Sequence, residues 1–349
     1  MTIRDDTLRA PIDADRLEHF LNERFGSDQP LSMTQISGGQ SNPTFRVRHG
    51  DRKMILRKQP PGDLAKGAHR IDREYRAMDA LAGTAVPVPA MILYHDDPEL
   101  LGTPFYLMEE VPGRVFQTAA MDGVTPEMRT AMYENLADTL AVLHAVDYEA
   151  AGLSRFGRPN AYFERQIDLW SGQLENSTGE PIAELEELAR WLRENQPEDD
   201  GLSSIAHGDF RVGNMLYDAD GPGIAAVLDW ELATIGHPLA DLAFCCMPWH
   251  TSSDEYGGIL DLDREALGIP SEADFVERYR KSMPQVPAPT AFHLAFALFR
   301  FAVIFVGIAD RARQGNAADP DAERYGPLAR RFAIRAWEVI GRRGSTADG

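Results

Sequence analysis

The chain has 349 residues, 44% of them apolar, and its 54 acids against 35 bases leave a formal net charge of −19. That length suits two domains rather than one small core, and the apolar share excludes disorder throughout. The acidic balance argues against a general nucleic-acid-binding surface, so no nucleic-acid partner is expected.

The N-terminus, Met1-Thr2-Ile3-Arg4-Asp5-Asp6, has two early acids and no apolar run, which does not read as a signal peptide. Residues 14–25 read as a short helix. Strand-like segments follow at 31–36, 44–47 and 54–57, separated by the turn 37–42 and by His49-Gly50-Asp51. Pro60-Pro61-Gly62 ends the third, because proline cannot donate to a ladder. Residues 68–82 read as a helix with Ile71, Tyr75, Met78 and Ala82 on one stripe and Gly83 as the stop. Glu74 falls on the edge of that stripe, where a buried carboxylate needs a partner. Two more strands are expected at 91–94 and 105–110.

After Pro112-Gly113 the pattern turns helical. The spacing predicts helices over 128–146, 160–174, 182–195, 272–281, 288–314 and 325–342. Among them lies a hairpin, 215–217 with 225–228, joined by Asp218-Ala219-Asp220-Gly221. The most apolar stretch, 291–309, carries His293 and Arg300 in its middle, which argues for a buried helix and against a membrane partner. Two adjacent cysteines, Cys245 and Cys246, cannot build a disulfide framework or a four-ligand zinc site, so a reducing, cytoplasmic compartment is expected. The outline is α+β: a small N-terminal lobe of strands and one helix (1–110), then a larger, mainly helical C-terminal lobe (111–349). Sites commonly form in a cleft at such a junction.

The strongest chemical signal is His207-Gly208-Asp209-Phe210-Arg211-Val212-Gly213-Asn214, followed after the hairpin by Leu228-Asp229-Trp230-Glu231. The hairpin folds the chain back, so Asp229 can return towards Asp209 and Asn214, and three oxygen-bearing side chains then converge. Such donors suit Mg²⁺, which prefers hard ligands. Each residue alone is a common turn residue; the combination at this spacing points to chemistry. A zinc site built from His207, Asp209, His237 or His250 lacks a compact ligand spacing.

This spacing resembles the protein-kinase catalytic loop and its metal-binding aspartate. With His-Gly-Asp and Asp-Trp-Glu it is more similar to the aminoglycoside phosphotransferase and choline kinase group. The run 226–243 is closer still to kinase-like domains that occur alone in bacteria or fused to acyl-CoA dehydrogenases. Ile55-Leu56-Arg57, Arg73-Glu74-Tyr75 and Phe299-Arg300-Phe301 fit the same subgroup.

The resemblance implies a protein-kinase-like two-lobe fold and a phosphotransferase that uses ATP and Mg²⁺. By it, Asp209 is the base or orienting group for a substrate hydroxyl, and Asn214 and Asp229 hold Mg²⁺ against the nucleotide phosphates. The cation that kinases supply as a strand lysine falls here to Arg57, which shares a strand face with Ile55 while Lys58 points away; Glu74 would fix it. The turn carrying Gly38, Gly39, Ser41 and Asn42 would lie over the phosphates, and the backbone at Glu109 and Val111 would meet adenine. Asp241 is expected to brace the catalytic loop, and His207 to be structural. The expected acceptor is the hydroxyl of a small metabolite, with a hydroxyacyl thioester ranked ahead of an aminoglycoside. The alternative of another class is a catalytically silent, nucleotide-binding pseudokinase.

Overall fold

The structure is a computed structural model that describes residues 12–36, 42–61, 70–313 and 326–341. The chain divides into two compact units. One runs to Pro112 and also contains Asp229–Glu231; the other holds the rest.

The N-terminal unit begins with α1 (Ala14–Phe25). Asp13 caps it by accepting from the Arg16 amide, and Gly26 closes it in the left-handed region at φ +61°. The strands β1 (Leu31–Gln35), β2 (Thr44–His49) and β3 (Arg52–Lys58) form a meander, and α2 (Ile71–Leu81), β4 (Met91–His95), α3 (Pro98–Leu101) and β5 (Phe105–Glu109) follow. The sheet is antiparallel in the order β1-β2-β3-β5-β4. One face packs Phe45, Val47, Met54, Leu56, Phe105 and Leu107 with Leu17 and Leu21 of α1. The pleat therefore puts Lys58 on the α1 face, where it is buried, and Arg57 on the opposite one. Burial pushes the Lys58 ammonium below its usual range.

The C-terminal unit contains α4 (Pro126–His144), α5 (Tyr162–Glu175), α6 (Ala183–Glu194), β6 (Ser204–Ala206), β7 (Met215–Tyr217), β8 (Ile224–Val227), β9 (Thr234–Gly236), α7 (Pro238–Cys246), α8 (Arg264–Leu267), α9 (Glu272–Ser282), α10 (Ala291–Arg313) and α11 (Gly326–Val339). β7 pairs with β8, and β6 with β9. The pairing of β6 with β9 and the helix α7 are not among the sequence expectations. Every residue of α7 is buried, so Pro238-Leu239-Ala240-Asp241-Leu242-Ala243-Phe244-Cys245-Cys246 shows no polar face and no helical period. α10 is long and apolar enough to cross a membrane, but 83% of its most apolar window is buried inside the protein. It packs against α11, α7, α5 and α6 and forms the centre of this unit.

Candidate active site

In the N-terminal unit the candidate site side chains Arg57 and Glu74 meet on the sheet face opposite α1. Glu74 of α2 is 1% exposed, and three side chains answer its charge. Asn42 donates to Oε1 at 2.7 Å, Tyr106 of β5 donates its hydroxyl to Oε2 at 2.8 Å, and Arg57 Nε lies 3.0 Å from Oε2. Arg57 reaches Glu74 because it pairs across the ladder with Tyr106, so both side chains leave the sheet on one face. Its Nη2 donates to Asp229 Oδ1 at 2.9 Å. Burial works against the Arg57 charge, but Glu74 and Asp229 outweigh it and hold the guanidinium well above its usual range. Burial likewise pushes the Glu74 carboxyl up against the pull of Arg57, and burial beside Glu74 raises the Tyr106 phenol. Asp229 has φ +64°, a conformation Asp tolerates better than most residues. Carboxylate oxygens of Glu74, Asp229 and Glu231 lie within 4.8 Å of one another.

The side chain of Asn42, which the sequence sets in the turn expected over the phosphates, is buried against Glu74. Gly38, Gly39 and Ser41 lie outside the described residues. At the end of β5, the Glu109 amide is committed to Ala90 O at 2.9 Å and the Glu110 amide to Lys53 O. An edge contact with a purine at Glu109 therefore falls to its carbonyl. Val111 lies beyond the last ladder residue.

In the C-terminal unit the loop after β6 is held from several directions. Asp241 of α7 is fully buried and accepts from the His207 amide at 2.6 Å and the Gly208 amide at 2.9 Å. Burial opposes its charge, but His144 and these amides keep the carboxyl below its usual range. Behind it, His144 Nε2 stands 3.5 Å from Asp241 Oδ2, and its Nδ1 bonds the Tyr279 hydroxyl at 2.7 Å. His207 accepts the Asp209 amide at Nδ1 (3.1 Å), so Nε2 carries the proton and donates to Leu228 O at 2.9 Å. Both ring nitrogens serve the backbone, which makes His207 a brace. Gly208 has φ +85°, and a Cβ there would stand 2.7 Å from Leu232 O, so only glycine fits. Its carbonyl accepts from Arg300 of α10, a buried guanidinium that lies over the rings of Trp170 and Phe244.

The fixed loop presents Asp209. Asn214 Nδ2 donates to Asp209 Oδ2 at 2.6 Å and to Asp209 O at 2.8 Å, while Arg211 Nε lies 3.3 Å from Oδ1. Because Asn214 spends its amide protons on Asp209, its carbonyl oxygen is the atom left to face a ligand. An amide oxygen such as that of Asn214 and a carboxylate such as that of Asp229 are each the hard type of donor that Mg²⁺ takes. The partners of Arg211 and Arg300 are not legible in the sequence: nothing in spacing says which arginine a loop carboxylate or a glycine carbonyl will meet.

An antiparallel five-stranded unit followed by a helical unit, with an Asp/Asn loop braced from the helix below, defines a kinase-like phosphotransferase. The chain belongs to the phosphotransferase enzyme family, whose model matches residues 32–264. It is 36% identical over 97% of its length to acyl-CoA dehydrogenase family member 10 of Mus musculus, of which it covers 32%. The chain thus spans about a third of that relative's length. A crystal structure from Ralstonia eutropha, of a protein classed with the aminoglycoside phosphotransferases, is 39% identical with a TM-score of 0.84, covering 95% of this chain and 98% of that one. A ternary complex of a thermostable mutant of aminoglycoside phosphotransferase APH(4)-Ia with AMP-PNP and hygromycin B shares the fold at 18% identity and a TM-score of 0.54, covering 95% and 99%.

Proposed function

We propose that the protein transfers the γ-phosphoryl group of ATP, with Mg²⁺, to an alcohol of a small metabolite. The observation that carries this is the Asp209 carboxylate, fixed by Asn214 and Arg211 on a loop whose backbone Asp241 and Arg300 hold. A carboxylate so placed can accept the hydroxyl proton as the acceptor oxygen bonds to phosphorus and the bond to the ADP oxygen breaks. Arg57, kept charged by Glu74, supplies the cation for the phosphates. Mg²⁺, when bound, neutralises charge on the phosphates, with Asn214 and Asp229 as its protein ligands.

Among acceptors, the match to relatives named as acyl-CoA dehydrogenases favours a hydroxyacyl thioester over an aminoglycoside. The acidic surface supports no choice between them by itself, because it can equally keep the chain soluble. A cytoplasmic setting belongs to the same proposal. The test is ADP release from ATP across a panel of hydroxyacyl-CoA thioesters, amino alcohols and aminoglycosides, with the Asp209→Asn variant in parallel. Turnover of a thioester that the variant loses is expected. ATP binding without turnover of any acceptor would favour a silent nucleotide-binding module instead.

A further inference from the structure

Next to the Asp209 loop, inside the C-terminal unit, lies a cavity of about 50 Å³. It reaches Arg211, Val212 and Gly213 on one side and is walled by apolar groups of α4, α7, α10 and α11, among them Leu136, Phe244, Phe301 and Phe332. Good packing would close such a space, since interiors hold few voids. Here one wall carries a buried, fully engaged carboxylate. Glu255, 4% exposed, takes Arg331 Nε at 3.0 Å, Arg335 Nε at 2.9 Å and the Ser252 amide at 2.7 Å. The two residues after it, Tyr256 (φ +63°) and Gly257 (φ +79°), are both left-handed, and for a tyrosine that backbone is strained. Strain of this kind persists where its surroundings impose it, and it clusters at ligand sites. The Tyr256 ring packs at 5.4 Å on Phe301 and at 5.1 Å on Phe305, while the Arg211 guanidinium sits 5.5 Å over its centre. Arg211 thus links the cavity wall directly to the Asp209 carboxylate.

We infer that this cavity is a specificity pocket for the acceptor, taking a short, uncharged aliphatic arm of the molecule whose hydroxyl Asp209 receives. The inference rests on the phosphotransferase reading above and adds to it where the substrate's carbon chain goes and how far it reaches. The volume is about a third of the ~150 Å³ that admits benzene in an engineered apolar cavity, so it holds the end of a chain and not a whole ligand. The lining is predominantly apolar, and its buried carboxylate, Glu255, is already committed to two arginines. A polycationic acceptor has no partner there.

The test is calorimetric binding of straight-chain hydroxyacyl-CoA thioesters of increasing length, with AMP-PNP and Mg²⁺ present. Affinity is expected to rise by up to about fourfold per added methylene while the arm enters the pocket, and then to level off. Ala119→Leu, which fills the cavity, is expected to move the plateau to shorter chains. Leu136→Ala, which enlarges it, is expected to move it to longer ones; Phe332→Leu serves the same purpose if Leu136→Ala melts below the assay temperature. AMP-PNP affinity is expected to stay the same in all of them. A plateau at the same length in filled and enlarged proteins, or no dependence on length, would overturn the pocket assignment. ADP release is read on the same preparations: a plateau that shifts with the variants but no turnover would sink the phosphotransferase reading and leave the pocket standing.

Discussion

Arg57 Nη2 stands 2.9 Å from Asp229 Oδ1, joining the cation proposed for the phosphates to a residue proposed for the metal. Both belong to the N-terminal unit. Arg57 therefore serves two carboxylates at once, and it is their chief counter-charge.

Removing Arg57 should accordingly cost both stability and activity. Arg57→Ala leaves Glu74 buried without its ion partner, a class of change that costs about 3–5 kcal/mol. A fall in melting temperature and at least a ~10²-fold fall in phosphoryl transfer are expected. Arg57→Lys should recover part of the melting temperature and little of the rate, because a lysine cannot span both carboxylates. Lys58→Ala, on the α1 face, should leave the rate per folded molecule unchanged. A large rate loss from Lys58→Ala with none from Arg57→Ala would move the cation from Arg57 to Lys58.

Asp229 should govern the metal dependence of nucleotide binding. ATP affinity measured by calorimetry is expected to fall when Mg²⁺ is chelated. Asp229→Asn tolerates the left-handed backbone and should bind ATP with the same weak affinity whether Mg²⁺ is present or not. An undiminished response to Mg²⁺ in this variant would take Asp229 out of the metal site.

Asp209→Asn keeps the side chain's shape and an oxygen to accept from Asn214. Its melting temperature and ATP affinity are expected to match those of the parent. Phosphoryl transfer should fall by about 10²-fold or more, the scale of general-base assistance. Unaltered turnover on a confirmed acceptor would remove Asp209 from the mechanism.

Arg300 offers a test of the brace. It is buried and donates to the Gly208 carbonyl one peptide before Asp209. Arg300→Met is expected to lower kcat while leaving the KM for ATP unchanged, and Arg300→Lys to restore part of kcat. Equal losses of melting temperature in both variants, with kcat intact, would make Arg300 a packing group alone.

His293 sets a pH limit on stability. Burial and the neighbouring His237 push its imidazole down to about 4 from the usual 6.5. The unfolded chain then binds a proton that the folded chain refuses, so stability is full above pH ~6.5 and declines as the pH falls towards 4. The contribution is at most roughly 3.5 kcal/mol. Melting temperatures between pH 7 and 4 should fall less steeply in His293→Asn than in the parent; parallel curves would show that His293 does not titrate in this window.

The parts of the site that the sequence displays are those carried by short spacings. Asp209 and Asn214 lie five residues apart, and the 2.6 Å bond between them is a local event. Arg57 follows from the alternation of one strand, and the need of Glu74 for a partner follows from the edge of one helical stripe. What escapes is tertiary. α7 hides because every position is buried and its polarity never alternates. Arg300 meets Gly208 across 92 positions of chain, and Arg211 sits over Tyr256, whose neighbour Glu255 takes Arg331 and Arg335 of α11. Asn42 stands in a turn by its sequence, yet its amide finds Glu74 32 residues away.

The placement of Asp229–Glu231 has a consequence for how the protein is made and exchanged. These residues pack with the N-terminal unit but arrive between Leu228 and Leu232 of the other. While the chain is being synthesised, Arg57 must wait for one of its two carboxylates until more than a hundred further residues have emerged. Nor can recombination between relatives swap the first 112 residues as a self-sufficient block: a graft taken from a cousin inherits the host's Asp229-Trp230-Glu231, and its own strand arginine must suit a tripeptide it did not evolve beside.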